Sequence, residues 1–154
     1  MTRIKHKCIS IRVIRMNSWI SVALNMTEDK QLKILLIDDD KFLLDMYSLK
    51  FKKSGLEIDI SVNSQAALDK LKGGNSYDII LLDIIMPTMD GLELLKIIRD
   101  EKLAKDTTII MLTNQADDFE KAKYLGADGY IIKATTIPSE VVEQVISIHN
   151  KKKK

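Results

Sequence analysis

The chain has 154 residues, 45% of them apolar and 30% charged, with 24 basic and 22 acidic side chains. That is enough for one domain with a real core, in the composition range of ordinary globular proteins, and no apolar run reaches the length of a membrane span. The single cysteine, Cys8, excludes an intramolecular disulfide and fits a reducing compartment, the cytoplasm.

Two further exclusions follow from residue placement. The two histidines, His6 and His149, lie near opposite ends, which argues against a His/Cys metal site or a histidine-based catalytic centre. The net charge of +2 hides a segregation. Arg3, Lys5, Lys7, Arg12 and Arg15 precede Met26 without a single acid, and Lys151 to Lys154 end the chain. The body between them keeps 15 basic against 22 acidic residues. A body that acidic is a poor nucleic-acid binder.

Residues 1–26 form a basic leader without clear periodicity. Three readings compete for it: an upstream extension with Met26 as the true initiator, an amphipathic membrane-surface segment, or a secretory signal. The first is favoured, because Met26-Thr27-Glu28-Asp29-Lys30 is a polar lead-in directly before a strand. The segment is expected to be poorly ordered.

From Lys33 strand and helix signals alternate. Ile34 to Ile37 is a continuous apolar strand closed by Asp38-Asp39-Asp40. A helix carrying Leu43, Met46, Tyr47 and Phe51 follows, capped by Asp40 or Asp39 and ended by Gly55. Ile58, Ile60 and Val62 alternate with Asp59 and Ser61, the pattern of a half-exposed strand. Ser64 is expected to cap a short helix through Leu71 that stops at Gly73-Gly74. Ile79 to Leu82 is the third strand and ends in Asp83. Met86-Pro87 and Met89-Asp90-Gly91 read as loop and turn before a helix over about Leu92 to Arg99. Thr107 to Thr113 is the fourth strand. A helix over about Asp118 to Leu125 stops at Gly126, and Gly129 to Lys133 is a short fifth strand. Pro138 opens a last helix through Ile148, and the four terminal lysines read as a solvated basic tail, 151–154.

Five strands alternating with five helices call for a parallel sheet covered on both faces. The alternating second strand and the short fifth look like edges, and the apolar first, third and fourth look central. The fold class is therefore α/β, a doubly wound five-stranded parallel sheet in the order 2-1-3-4-5, a flavodoxin-like three-layer sandwich. Its switch point lies between strands one and three. That topology brings Asp38, Asp39 and Asp83 into one pocket.

Three carboxylates this close need a cation, and an all-oxygen site suits Mg²⁺ or Mn²⁺. The first strand-to-helix loop carries acids where a phosphate-cradling loop carries glycines. Lys133 and Thr113 point at the same sheet edge, where an ammonium and a hydroxyl serve phosphoryl oxygens. Metal, carboxylate nucleophile, lysine and hydroxyl are the parts for phosphoryl transfer to an aspartate. Taken singly each has a plainer explanation: an aspartate run is more often a helix cap, a strand-end lysine is usually solvated, and a lone threonine is an ordinary cap. The ordered set is what carries the reading.

With Ile37-Asp38-Asp39-Asp40, Leu82-Asp83-Ile84-Ile85-Met86-Pro87, Met89-Asp90-Gly91, Leu112-Thr113 and Gly126-Ala127-Asp128-Gly129-Tyr130-Ile131-Ile132-Lys133, the chain resembles the receiver domain of two-component response regulators over about residues 33–150. The resemblance implies that Asp83 is the phosphoacceptor. Asp39, Asp38 through water, Asp83 and the Ile85 backbone carbonyl would hold the metal. Lys133 would bind the phosphate, and Thr113 and Tyr130 would form the switch pair. The face of the fourth helix, fifth strand and fifth helix would be the output surface. The implied partners are a histidine kinase or histidine phosphotransfer protein and a downstream protein, with the chain a monomer or a phosphorylation-dependent dimer. With no output domain after the last helix, it resembles a stand-alone receiver rather than an enzyme, with at most Mg²⁺-dependent self-phosphorylation from small phosphodonors and self-dephosphorylation.

Two departures from the family pattern stand out. Asn114 follows Thr113 where a small residue is usual, and is expected to limit access and slow phosphorylation. Ala134 follows Lys133 where a proline in a cis peptide is usual, which leaves both the cis and the trans form open. These two keep a degenerate, phosphorylation-independent binding module as the alternative. A phosphohydrolase using Asp38 and Asp40 is a third reading, which would leave the Asp83 motif unexplained.

Overall fold

The computed structural model describes residues 30–154. The expectations for the leader, 1–26, and for Met26 lie outside the described residues. Strands β1 (Lys33–Ile37), β2 (Glu57–Ser61), β3 (Ile79–Leu82), β4 (Thr108–Thr113) and β5 (Gly129–Ile132) alternate with helices α1 (Lys41–Lys53), α2 (Ser64–Lys72), α3 (Gly91–Asp100), α4 (Phe119–Tyr124) and α5 (Pro138–Lys153). The sheet is parallel throughout, in the order β2-β1-β3-β4-β5. This is the doubly wound order expected from the pattern of apolar runs.

The three central strands are apolar throughout because side chains alternate between two covered faces. Leu35, Ile37, Ile80, Leu82, Ile109 and Met111 pack with Leu68 and Leu71 of α2 and Leu92, Leu95 and Ile98 of α3. Ile34, Leu36, Ile79, Leu81, Ile110 and Leu112 pack with Leu44, Tyr47 and Phe51 of α1 and Val141, Val142 and Val145 of α5. Each such side chain, fully buried, contributes roughly 1.5–3 kcal/mol.

The edge strand β2 behaves differently. Its alternation marked a half-exposed strand, yet Ser61 is buried while Ile60 and Val62 are exposed. Asp59 is held by the Lys70 ammonium at 2.5 Å and the Tyr77 hydroxyl at 2.6 Å. The period shows that one side is drier than the other; these ties to α2 and Tyr77 decide which.

Helix starts follow local chemistry, with one correction. Asp40 caps α1, its carboxylate accepting from Phe42 N at 2.9 Å and Leu43 N at 3.3 Å. Asp90 caps α3 in the same way, accepting from Leu92 N and Glu93 N. At α2 the cap is Asn63 rather than Ser64: Asn63 Oδ1 accepts from Ala66 N at 2.8 Å. The Ser64 hydroxyl instead donates to the Met89 carbonyl at 2.8 Å and ties α2 to the loop after β3. Both residues are competent caps, and the tertiary partner decided between them. The terminal lysines do not fray at once. Lys151 to Lys153 extend α5, and the Lys152 ammonium donates to the Thr107 carbonyl at 2.8 Å and to Asp128 at 2.9 Å.

Candidate functional site

Strand register builds the site. Ile37 of β1 pairs with Leu82 of β3, so the next residues, Asp38 and Asp83, leave adjacent strands side by side. Asp83 N donates to the Ile37 carbonyl at 3.0 Å and Asp38 N to the Ser61 carbonyl at 3.2 Å, which fixes both peptides as the strands end. Thr113 of β4 pairs with Ile132 of β5, which puts Lys133 one residue beyond on the same edge.

The three acids meet as the topology required. Carboxylate oxygens of Asp38, Asp39 and Asp83 all lie within 4.8 Å of one another. Asp38 and Asp83 are buried, at 2% and 8% exposure, while Asp39 lies open to solvent. The Lys133 ammonium pairs with Asp38 and sits 3.0 Å from Asp83. Burial pulls the Lys133 pKa down, but these two carboxylates outweigh it and hold the ammonium above its ordinary value. Lys133 therefore stays charged across the neutral range. One ammonium against three carboxylates leaves an excess negative charge at a sheet edge, and a hard divalent cation with oxygen preference fits that donor set.

Asp40 does not join the cluster. Its carboxylate is occupied at the start of α1, and its own N–H donates to Asp38 Oδ1 at 2.9 Å. That removes the second acid a phosphohydrolase built on Asp38 and Asp40 would need.

Thr113 is fully buried, and its hydroxyl oxygen accepts from Gln115 N at 3.2 Å. The Tyr130 hydroxyl donates to the carbonyl of the same Gln115. The Tyr130 ring meets Phe119 edge-on, with centroids 5.6 Å apart. Burial, then Asp118, Asp117 and Asp83, raise the Tyr130 pKa, so its hydroxyl stays protonated and able to donate. Thr113 and Tyr130 are thus joined through the backbone of one residue, Gln115, a link that spacing alone does not reveal.

The loop after β3 is held tightly to Asp83. A Cβ on Gly91 would lie 1.9 Å from the Asp83 carbonyl oxygen, so only glycine lets α3 start so close beneath the acid. Gly91 N also donates to the Ile84 carbonyl at 2.7 Å. Thr88, in the same loop, has φ 73°, an unfavourable conformation for a β-branched residue. Ile85 exposes its side chain, which has no donor atom, so its backbone carbonyl is the group it can offer a metal. Asn114 is exposed directly after Thr113. Ala134 lies in a 3-10 turn, Lys133–Thr135, and the Lys133–Ala134 peptide is trans.

Sequence reasoning missed Tyr47 as a neighbour of the site. It is buried on α1, and its phenol feels the charges of Lys133 and Asp38; burial first, then Asp38, raise its pKa against the pull of Lys133. In the sequence it carries only the helical spacing of a core residue.

Comparison with known proteins agrees with this geometry. The family model described as the response regulator receiver domain matches residues 34–145. Response regulator ArlR of Staphylococcus haemolyticus is 36% identical over 112 residues, covering 71% of this chain and 48% of that protein. The transcriptional regulatory protein ResD of Bacillus subtilis is 34% identical over 122 residues, covering 78% of this chain and 49% of that one. The chain thus spans about half the length of the curated relatives it matches. Among solved structures, response regulator TrrA of Thermotoga maritima, in complex with Mg²⁺ and BeF, is 34% identical with a TM-score of 0.67, over 77% of this chain and 99% of that one. Chemotaxis response regulator CheY4 of Vibrio cholerae is 27% identical with a TM-score of 0.71, over 77% and 99%. The sheet order, the acid cluster and these matches lead to one conclusion: the chain belongs to the family of two-component response regulator receiver domains.

Proposed function

We propose that the chain is a phosphoacceptor switch in which Asp83 takes a phosphoryl group from a phosphohistidine of a histidine kinase or phosphotransfer protein. The observation that carries this reading is the gathering of Asp38, Asp39 and Asp83 into one cluster, two of whose carboxylates, Asp38 and Asp83, hold the Lys133 ammonium. A carboxylate oxygen of Asp83 attacks phosphorus in line, the P–N bond to the donor breaks, and an acyl phosphate forms as the donor imidazole leaves. Asp38, Asp39, Asp83 and the Ile85 carbonyl would hold Mg²⁺, which supplies charge neutralisation for the phosphoryl oxygens. Lys133, already at Asp83, offsets charge on another phosphoryl oxygen.

The acyl phosphate adds charge and acceptors near Thr113. Its hydroxyl turns from Gln115 N toward a phosphate oxygen, and the backbone of Gln115 carries the change to Tyr130. The surface of α4, β5 and α5 reads that change out to a partner protein. Phe119, Tyr124 and Ile137 give this region exposed apolar side chains, at 45%, 90% and 60%.

The test is addition of Mg²⁺ and beryllofluoride, a stable phosphoryl mimic. Resonances of Thr113, Gln115 and Tyr130 should shift together, and an Asp83→Asn variant should show none of these shifts. Shifts confined to the acid pocket would leave a phosphate site without a switch. No shift at all would favour a phosphorylation-independent binding module.

A further inference from the structure

The amino edge of the sheet carries a buried group that the phosphoryl chemistry does not use. His149, near the end of α5, is 2% exposed and is the only histidine among the described residues. Its Nδ1 lies 2.7 Å from the hydroxyl oxygen of Thr108, the first residue of β4. Its Nε2 is buried without a partner. The ring lines a cavity of about 470 Å³ together with Asn75, Asp78, Lys105, Asp106 and Lys153.

The charges around the ring come from three elements. Lys152 and Lys153 stand on α5 itself. Asp78, at the entry to β3, offers a carboxylate, but that group already accepts from Lys33 N at 2.9 Å. Lys105 and Asp106, in the loop before β4, line the same cavity, as does Tyr77, whose hydroxyl is committed to Asp59. A neutral imidazole satisfies Thr108 and leaves one ring nitrogen dry. An imidazolium would put a full charge into that place, with an unpaired N–H and two lysines close by. Burial and Lys153 accordingly hold the ring below its ordinary pKa, against the pull of Asp78.

We propose that His149 is a proton-operated latch: neutral, it fastens the end of α5 to Thr108 on β4, and protonated, it releases that end from the sheet. Unfolded or detached, the ring titrates near 6.5. Between that value and the lower one of the latched ring, the open form binds one more proton. Closure is therefore complete above about pH 6.5 and weakens as pH falls, by up to about tenfold in the closed-to-open ratio per pH unit. Because α5 is itself part of the proposed output surface, acidification loosens that surface. The latch itself does not depend on phosphorylation.

The experiment follows the His149 imidazole by NMR in the full chain, with His6→Gln removing the second histidine signal. Amide exchange of Val145 to Lys151 is measured in parallel from pH 7.5 to 5, corrected for intrinsic rates and referenced to α1. His149 in the closed form should titrate below 6.5, and protection at the α5 end should fall as pH drops from about 6.5 toward that midpoint, by up to about tenfold per pH unit, while α1 holds. His149→Gln should abolish that pH dependence. Titration at or above 6.5, protonation with α5 protection unchanged, or a drop that survives in His149→Gln would each overturn the latch.

Discussion

The two edges of the sheet handle charge in opposite ways. At the amino edge one carboxylate, Asp128, meets two cations, Arg99 at 2.9 Å and Lys152 at 2.9 Å, and also accepts from Ile109 N at 2.8 Å. At the carboxyl edge three carboxylates crowd together, and two of them, Asp38 and Asp83, share the ammonium of Lys133. The first arrangement is closed and holds the start of β5, α3 and α5 together. The second is left acidic among the described residues, with more carboxylates than cations. Structural ties and the proposed function thus fall at opposite ends of the same strands, and a mutation should act differently at each.

The largest effect expected is at Asp83. Asp83→Asn should abolish phosphoryl uptake from acetyl phosphate in Mg²⁺ while leaving the thermal unfolding curve of a folded protein; residual uptake at the wild-type rate would break the contrast. Next comes the floor beneath that acid. Gly91→Ala forces a methyl group against the Asp83 carbonyl, and should cost about 3 kcal/mol or prevent folding, as read by urea denaturation. Asp128→Ala should follow at about 2 kcal/mol, because it removes the carboxylate that Arg99, Lys152 and Ile109 N share and leaves the two cations only their backbone carbonyl acceptors. Asp39→Asn should move the other way: it relieves repulsion, so the metal-free protein should melt higher, while the further gain in Tm on adding Mg²⁺ should shrink. A melting point lowered by Asp39→Asn would show that the carboxyl edge is a structural network like the amino one. The smallest effect is kinetic. Asn114→Ala should speed phosphorylation by a small molecule several-fold with little change in stability.

Much of this division could be read in the sequence, for identifiable reasons. Continuous apolar runs at Ile34 to Ile37, Ile79 to Leu82 and Ile109 to Leu112 placed three strands at the centre, because only strands covered on both faces tolerate them. With the order set, Asp38 and Asp83 had to emerge together. What stayed hidden depends on contacts between distant residues. The sequence leaves the cap of α1 between Asp40 and Asp39, and nothing local shows that Asn63 and not Ser64 starts α2, because Ser64 reaches the distant Met89. The link from Thr113 through Gln115 to Tyr130 runs through backbone N–H and C=O groups, which have no residue signature. Lys152 looked like part of a tail because its partners, Thr107 and Asp128, lie far away in the chain. His149 was set aside as a terminal histidine for the same reason, since its partner Thr108 comes from β4.

The central claim, that the crowded carboxyl edge exists to let Asp83 take a phosphoryl group, is tested most directly by chemical mapping. The protein is incubated with acetyl phosphate and Mg²⁺, the acyl phosphate is trapped by borohydride reduction, and the modified residue is located by peptide mass spectrometry. A single Mg²⁺-dependent modification at Asp83 is the predicted result. Modification at Asp38 or Asp39 instead, or equal uptake without a divalent cation, would contradict it.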